Sequence, residues 1–236
     1  MNCSEYLSKF LIENNIKDIF SVTGGGSMFL NKAFHDNKKL KVTYFHHEQA
    51  AAFAAEGYWR SSGKIAAVCL TTGPGALNAI TGIFGSFVDS VPIFVISGQV
   101  KTNTNLNFQK KNLRQLGDQE ADVFRIVSPF VKYVSSPNSV KTFKNSLHKS
   151  IQILKTPRYG PVWIDVPIDI QSMSVLNKSS NNLKVIEHFH KNNKLCDVSK
   201  NKQLIYKQTS ILVNKIFNSK RPLFFVGTGV KVSNLG

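Results

Sequence analysis

The pattern of apolar and polar positions switches between two periods along most of the chain. Short runs such as Ala66-Ala67-Val68-Cys69-Leu70 and Ile93-Phe94-Val95-Ile96 are apolar without interruption, as a strand buried on both faces of a parallel sheet requires. Between such runs lie longer stretches with apolar residues three and four apart, the mark of amphipathic helices. Ala51, Ala52, Ala55, Tyr58 and Trp59 form one such set in an alanine-rich segment, and alanine is the best helix former. The pattern predicts strands at 19–22, 42–45, 65–70, 92–96 and 162–166, and helices at 4–14, 27–36, 48–61, 76–87, 120–127 and 140–154. Strands alternating with helices give an α/β fold: a three-layer domain with a mostly parallel sheet over residues 1–171.

The period is lost over 172–202, which is rich in Ser, Asn and Lys and reads as an inter-domain linker. Residues 203–218 then read as a helix, and 221–229 as the first strand and glycine turn of a second α/β domain. A lone strand cannot bury its faces, so that domain, 203–236, is expected to be incomplete.

Composition changes this picture little. A chain of 236 residues, 42% hydrophobic and 19% charged, can bury a full core and reads as an ordinary soluble protein. There is no run of about 18 apolar residues and no basic-then-apolar start, so neither a spanning helix nor a signal peptide is expected, and the cytoplasm is the expected site of action. Cys3, Cys69 and Cys196 are far apart and form no C-x-x-C pair, which argues against a disulfide framework and against zinc. His188-Phe189-His190, near Cys196 and Asp197, falls in the predicted linker and reads as solvated histidines; no metal ligands are predicted.

The net charge of +16 is unevenly spread. Residues 1–100 hold 8 Lys/Arg against 7 Asp/Glu, whereas 101–236 hold 22 against 7. The excess is lysine scattered among asparagines, as at 191–194 and 200–202, without the interleaved aromatics of a base-stacking surface. It reads as a solvated face rather than a nucleic-acid groove, although such a field draws anionic ligands.

Candidate chemistry concentrates where ligands sit in open α/β sheets, at the carboxyl ends of the strands. Four predicted loops fall there, 23–27, 46–48, 71–75 and 97–99. Glu48 opens a predicted helix, where the macrodipole favours a carboxylate. The small alanines behind it would let another backbone approach, as in a tight helix pair across a subunit interface. Twenty-five residues after Glu48 comes Gly73-Pro74-Gly75-Ala76-Leu77-Asn78. Gly24, Gly25, Gly73 and Gly75 suit close approach of a flat ligand, and Asn78 can hydrogen-bond within its loop. Neither glycine loop has dinucleotide or P-loop spacing, so a direct phosphate cradle is not indicated.

Four blocks in order, His47-Glu48-Gln49-Ala50-Ala51-Ala52-Phe53-Ala54-Ala55-Glu56-Gly57-Tyr58, Thr72 to Asn78, Asp89-Ser90-Val91-Pro92 through Val100, and Gly160-Pro161-Val162-Trp163-Ile164-Asp165-Val166-Pro167, resemble thiamine diphosphate-dependent enzymes similar to acetolactate synthase. The resemblance covers residues 1–171 and resumes at 221–236. It implies a pyrimidine-binding domain followed by the opening of a central domain. It also implies that Glu48 hydrogen-bonds the pyrimidine ring nitrogen N1′ of thiamine diphosphate, favouring the tautomer whose exocyclic nitrogen takes the thiazolium C2 proton. Gly73, Pro74, Gly75 and Asn78 would face the cofactor. Gln119 matches a glutamine near the substrate, and Arg158 matches an arginine that contacts FAD in flavin-containing members, so FAD is a further implied cofactor. The implied reaction is decarboxylation of a 2-keto acid, pyruvate first, and addition of the two-carbon unit to an acceptor carbonyl, as in branched-chain amino acid biosynthesis.

The same resemblance places Mg²⁺ and the diphosphate on a Gly-Asp-Gly motif of a further domain, which nothing in these residues supplies. The chain alone is therefore expected to be inactive, and to work as a homodimer or tetramer or with a partner subunit carrying that domain. Asp118-Gln119-Glu120 and Pro167-Ile168-Asp169 depart from the Phe-Gln-Glu and Pro-Lys-Asp usual in acetolactate synthases. Two alternatives follow: a keto-sugar carboligase of surface-polysaccharide synthesis, for which the absent lysine speaks, and a catalytically silent interaction fragment.

Overall fold

A computed structural model describes residues 1–109, 111–176, 185–190, 202–227 and 229. Much of the predicted linker, including Cys196 and Asp197, the stretches 191–194 and 200–201, and Thr228 of the predicted glycine turn lie outside these residues. The chain divides into two compact units, 1–193 and 194–236. The first runs α1 (Cys3–Glu13), β1 (Asp18–Ser21), α2 (Met28–Asp36), β2 (Lys41–Tyr44), α3 (Glu48–Ser62), β3 (Ala67–Leu70), α4 (Pro74–Asn78), α5 (Ile80–Val88) and β4 (Phe94–Gln99). It continues through α6 (Leu106–Gln109), α7 (Val123–Val127), β5 (Tyr133–Ser136), α8 (Val140–Leu154), β6 (Val162–Pro167), α9 (Ile168–Ser172) and β7 (Ile186–Phe189).

The seven strands form one sheet in the order β2-β1-β3-β4-β6-β5-β7. All neighbours pair in parallel except β5 and β7, which are antiparallel. The expected α/β fold with a mostly parallel sheet is thus present. Helices cover both faces, and the strand residues divide between two cores accordingly. Ala67, Cys69, Phe94, Ile96, Val162 and Ile164 join Leu7, Leu11, Phe34 and Phe143 on one side. Val68, Leu70, Ile93, Val95 and Trp163 join Ala51, Ala52, Ala55 and Ile83 on the other. Successive residues of a strand point to opposite faces, so burial of both faces explains why β3 is apolar throughout and β4 is apolar up to Ile96.

Local chemistry sets the helix limits. Asn2 caps α1: its Oδ1 accepts the Glu5 N–H at 2.8 Å, and the Asn2 N–H donates back to Glu5 Oε2 at 3.0 Å, a reciprocal capping box. At the end of α3, Gly63 adopts the left-handed conformation (φ 69°) that terminates helices at little steric cost.

Several expectations are corrected. Residues 76–87 are not one helix; the chain breaks at Ala79, whose N–H turns back to Ala76 O at 3.3 Å. The helix expected from Glu120 begins only at Val123, capped by Asp122, whose carboxylate accepts the Arg125 N–H at 3.1 Å, because Glu120 is occupied by loop amides. Positions 97–99 form the end of β4, not a loop. Strand β5 was not predicted; its Ser135 and Ser136 are polar yet buried. Strand β7 lies within the predicted linker, held by Glu187, which accepts from Tyr133 Oη at 2.9 Å and pairs with Lys149 at 2.8 Å. His188 is therefore part of the sheet and the His190 ring packs against Phe87, centroids 5.0 Å apart, so these histidines are half-buried at a sheet edge rather than solvated.

The alanines of α3 do admit a close helix, but it is α5 of the same chain. A Cβ added to Gly82 would lie 2.7 Å from Ala52 Cβ. In the second unit α10 (Lys202–Phe217) matches the predicted helix. Residues 222–227 form no strand; Leu223 to Val226 are exposed and no described strand offers them a ladder. Gly82→Val should lower stability by ~1–3 kcal/mol through overpacking of α3 against α5, read as a lower urea midpoint, while Gly57→Ala, where an added Cβ meets nothing within 4 Å, should cost nothing measurable.

Candidate functional site

Strand β1 leads by way of α2 to one side of the sheet, and β3 leads to the other, so the strand order reverses between β1 and β3. Crevices at such a reversal, outside the carboxyl ends of the strands, are the ligand sites of open α/β sheets. Here the loop after β1 meets the loop after β3. A Cβ on Gly24 would lie 2.4 Å from Thr71 Oγ1, one on Gly26 1.7 Å from Thr72 Oγ1, and one on Gly98 2.0 Å from Gly26 O. The Gly26 N–H donates to Thr71 Oγ1 at 3.2 Å. Gly24 and Gly26 are thus required by loop-to-loop packing, whereas Gly25 faces open space.

Glu48 reaches this crevice from the first turn of α3. His47 caps the helix, its Nδ1 accepting the Gln49 N–H at 3.1 Å. The Glu48 side chain is buried, at 8% exposure, and its two oxygens differ. Oε2 accepts from Asn78 Nδ2 at 3.0 Å. Oε1 has no hydrogen-bond partner among the described residues and faces Gly75, where an added Cβ would approach it to 3.2 Å. One oxygen is therefore fixed and the other has no described donor, while Gly75 itself is packed, since its Cβ would lie 2.5 Å from Thr71 Cγ2. Pro74 starts α4, and Gly73 before it has φ 57°, a left-handed backbone that favours glycine.

Gln119 enters the site through its backbone. It too is left-handed (φ 52°), and its carbonyl oxygen would lie 1.8 Å from a Cβ on Gly73. Its side chain is exposed. The structure thus brings Glu48, Gly73, Pro74, Gly75, Asn78 and Gln119 together, with Gly24 packed on the adjoining Thr71. Arg158 is not among them. It stands at the amino ends of β4 and β6, the opposite rim of the sheet, where Nε donates to Ser90 Oγ at 2.6 Å and Nη2 to Val88 O at 3.1 Å.

Sequence reasoning missed the carboxylates that hold the Gln119 loop. Asp165 is buried at the carboxyl half of β6; it accepts from Ser97 Oγ at 2.6 Å and Gln99 Nε2 at 2.9 Å. Trp163 Nε1 donates to the same serine at 2.7 Å, and Gln99 Nε2 also reaches Ala121 O at 3.3 Å. Burial pushes the Asp165 carboxyl up to about 7 against the opposing pull of the Ser97 and Gln99 hydrogen bonds. Asp169 accepts from Thr102 N at 3.1 Å and Thr102 Oγ1 at 2.5 Å. Glu120 accepts the N–H groups of Leu106, Leu116 and Gly117 at 2.6, 3.1 and 3.0 Å. The signal available was Asp165 itself, a lone acid inside an apolar strand, since buried carboxyl groups demand partners. Cys3 and Cys69 are buried and free, and their thiols are pushed up to about 11 and about 12 by burial. Among the described residues no group of His, Cys, Asp and Glu is placed to hold a metal ion, and no helix is long and apolar enough to cross a membrane.

A carboxylate at a helix start facing a glycine loop across a topological switch point is the arrangement of a ligand-binding α/β domain, and comparison with known proteins identifies its family. Residues 1–122 match the family described as thiamine pyrophosphate enzyme, N-terminal TPP binding domain, and the chain belongs to that family. It is similar to the acetolactate synthase large subunit of Lactococcus lactis subsp. lactis (strain IL1403), 33% identical over 232 residues, 98% of this chain and 37% of the relative. It is also similar to the acetolactate synthase isozyme 3 large subunit of Escherichia coli (strain K12), 34% identical over 167 residues, 71% of this chain and 28% of that one. The chain therefore spans about a third of the length of such relatives. In fold it resembles the thiamine diphosphate-dependent 4-hydroxybenzoylformate decarboxylase of Rhodococcus jostii RHA1, with a TM-score of 0.65 and 21% identity over 77% of this chain and 34% of that one.

Two outcomes follow from this geometry. Gly73→Ala should cost ~1–3 kcal/mol, since it combines a left-handed backbone with collision against Gln119 O, and should raise amide exchange across 117–121 in the full chain. Because its folded pKa lies above the unfolded value, Asp165 contributes stability that is full below about pH 4 and lost as pH rises through about 7. The difference in urea midpoint between Asp165→Asn and the parent should therefore shift in favour of the variant across that window.

Proposed function

We propose that this chain is the pyrimidine-binding part of a thiamine diphosphate-dependent enzyme that decarboxylates a 2-keto acid, pyruvate first, and joins the two-carbon unit to an acceptor carbonyl, as the name acetolactate synthase implies for its relatives. The observation that carries the reading is the open Oε1 of Glu48 beside Gly75, with Oε2 tied to Asn78. The free carboxylate oxygen offers an acceptor that can hold a proton at a ring nitrogen of the cofactor. When bound, thiamine diphosphate supplies an acidic C–H and an electron sink for loss of CO2. Asn78 keeps the Glu48 carboxylate in one rotamer, so little reorganisation is needed as the proton shifts. Gln119, seated on Gly73 and with an exposed side-chain amide, offers a donor and an acceptor to a keto acid above the cofactor loop.

The remaining assignments rest on the same reading. Gly24, Gly73, Pro74, Gly75 and Asn78 form the wall at the cofactor, and Gly25, facing open space, lines its approach. Mg²⁺ and the diphosphate would be held by residues of another domain. A homodimer or tetramer, or a partner subunit, would complete the site; the outward faces of α3 and α5 carry Phe53, Phe84 and Val88 at 46, 53 and 51% exposure, an apolar surface suited to a second subunit. Should FAD bind, Arg158 would meet it at the far rim of the sheet and not in the Glu48 crevice. The site of action is the cytoplasm.

Glu48→Gln in the assembled enzyme should slow exchange of the thiazolium C2 proton by at least ~100-fold, followed by NMR, with the unfolding midpoint unchanged; an unaltered exchange rate overturns the reading. With pyruvate as sole substrate the expected product is acetolactate, and consumption of pyruvate only when a different carbonyl acceptor is added would refute pyruvate as acceptor.

A further inference from the structure

The loop between β4 and α7 encloses a cavity of about 560 Å³ on the surface of the first unit. None of its walls comes from the Glu48, Gly73 or Gly24 loops, and its volume is that of a small-molecule site, several times what a three-carbon acid fills. Its charges are not balanced. Of the acids that line it, Glu120 already accepts the three backbone N–H groups of Leu106, Leu116 and Gly117. Asp122 is taken up by Asn107 Nδ2 at 2.9 Å and by Arg125 at 3.2 Å. Lys111 and Arg114 line the same cavity and have no carboxylate partner among the described residues. Two cations thus face a concave space whose carboxylates are already spoken for. Beside them Leu113, 53% exposed, and Leu106 give the wall an apolar portion.

From this juxtaposition we propose that the cavity is a binding site for an organic phosphate ester. The phosphate lies between Lys111 and Arg114, whose guanidinium can form two parallel hydrogen bonds to its oxygens. The organic part lies against Leu113. The proposal does not rest on the carboligase reading, since it uses no residue of the Glu48 crevice.

The test titrates phenyl phosphate and inorganic phosphate into the 236-residue chain at low ionic strength by calorimetry. Phenyl phosphate is expected to bind at one site at least ~10-fold more tightly than inorganic phosphate, as burial of a few CH groups allows. The surface variant K111Q/R114Q should weaken it by at least ~10-fold, the loss expected when charged hydrogen-bond donors are removed. K38Q/K39Q, which removes two exposed lysines elsewhere, should leave it unchanged, as should Glu48→Gln. Absence of saturable binding, equal loss in K38Q/K39Q, or an unaffected K111Q/R114Q overturns the site; equal affinity for the two phosphates overturns its assignment to an organic ester.

Discussion

The crevice exists because backbones touch where side chains cannot. At the carboxyl ends of β1, β3 and β4 the loops approach so closely that Cβ atoms on Gly24, Gly26, Gly73 and Gly98 would each fall within 2.4 Å of a neighbouring atom. That contact joins three separate strand ends into one rigid rim. It places Gly75 against Glu48, and it seats the Gln119 carbonyl on Gly73. Few rotatable groups lie between the carboxylate and the sheet, which is how a site holds its geometry before a ligand arrives.

Acidic side chains then divide the work. Glu48 keeps one oxygen open. Asp165, by contrast, has both oxygens occupied by Ser97 and Gln99, and burial favours its neutral form. Asp169 binds a backbone amide at the start of the long segment after β4, and Glu120 ties Leu106, near that start, to Leu116 and Gly117 near its end. A loop of this length normally costs considerable ordering entropy; here the amide groups that water would otherwise satisfy are drawn onto carboxylates, which are strong acceptors. The segment can therefore present an irregular backbone, including a left-handed glutamine, with only the short helix α6 and the 3-10 turn Thr102–Thr104 as regular elements among its described residues.

How far this was legible in the sequence depended on whether the deciding force was local. The two-faced burial of β3 and β4 is written in uninterrupted apolar runs, and Glu48 with its glycine loop could be placed at strand ends from periodicity alone. The pairing of Glu48 with Asn78 was not legible, because it joins the start of α3 to the end of α4, two helices that only the folded sheet brings together. Strand β5, with two serines, lacks an apolar signature and is a strand only because β6 and β7 pair with it. Residues 120–122 read as the start of a helix because Glu120 and Ala121 suit one; the hydrogen bonds of loop amides to Glu120 outweighed that propensity. The exposed 222–227 segment shows the converse, strand-prone residues without a described partner strand.

Strand β7 has a consequence for the survival of the folded chain. Without it, β5 would present a row of unpaired amide and carbonyl groups at the sheet margin, an invitation for another polypeptide to dock edge to edge and seed fibrous aggregates. The antiparallel addition of Ile186 to Phe189, clamped by Glu187 between Tyr133 and Lys149, closes that margin with residues that bring charge with them. At the far margin β2 opens with an exposed lysine, Lys41, so both borders of the sheet are guarded against adhesion, one by a covering strand and one by charge.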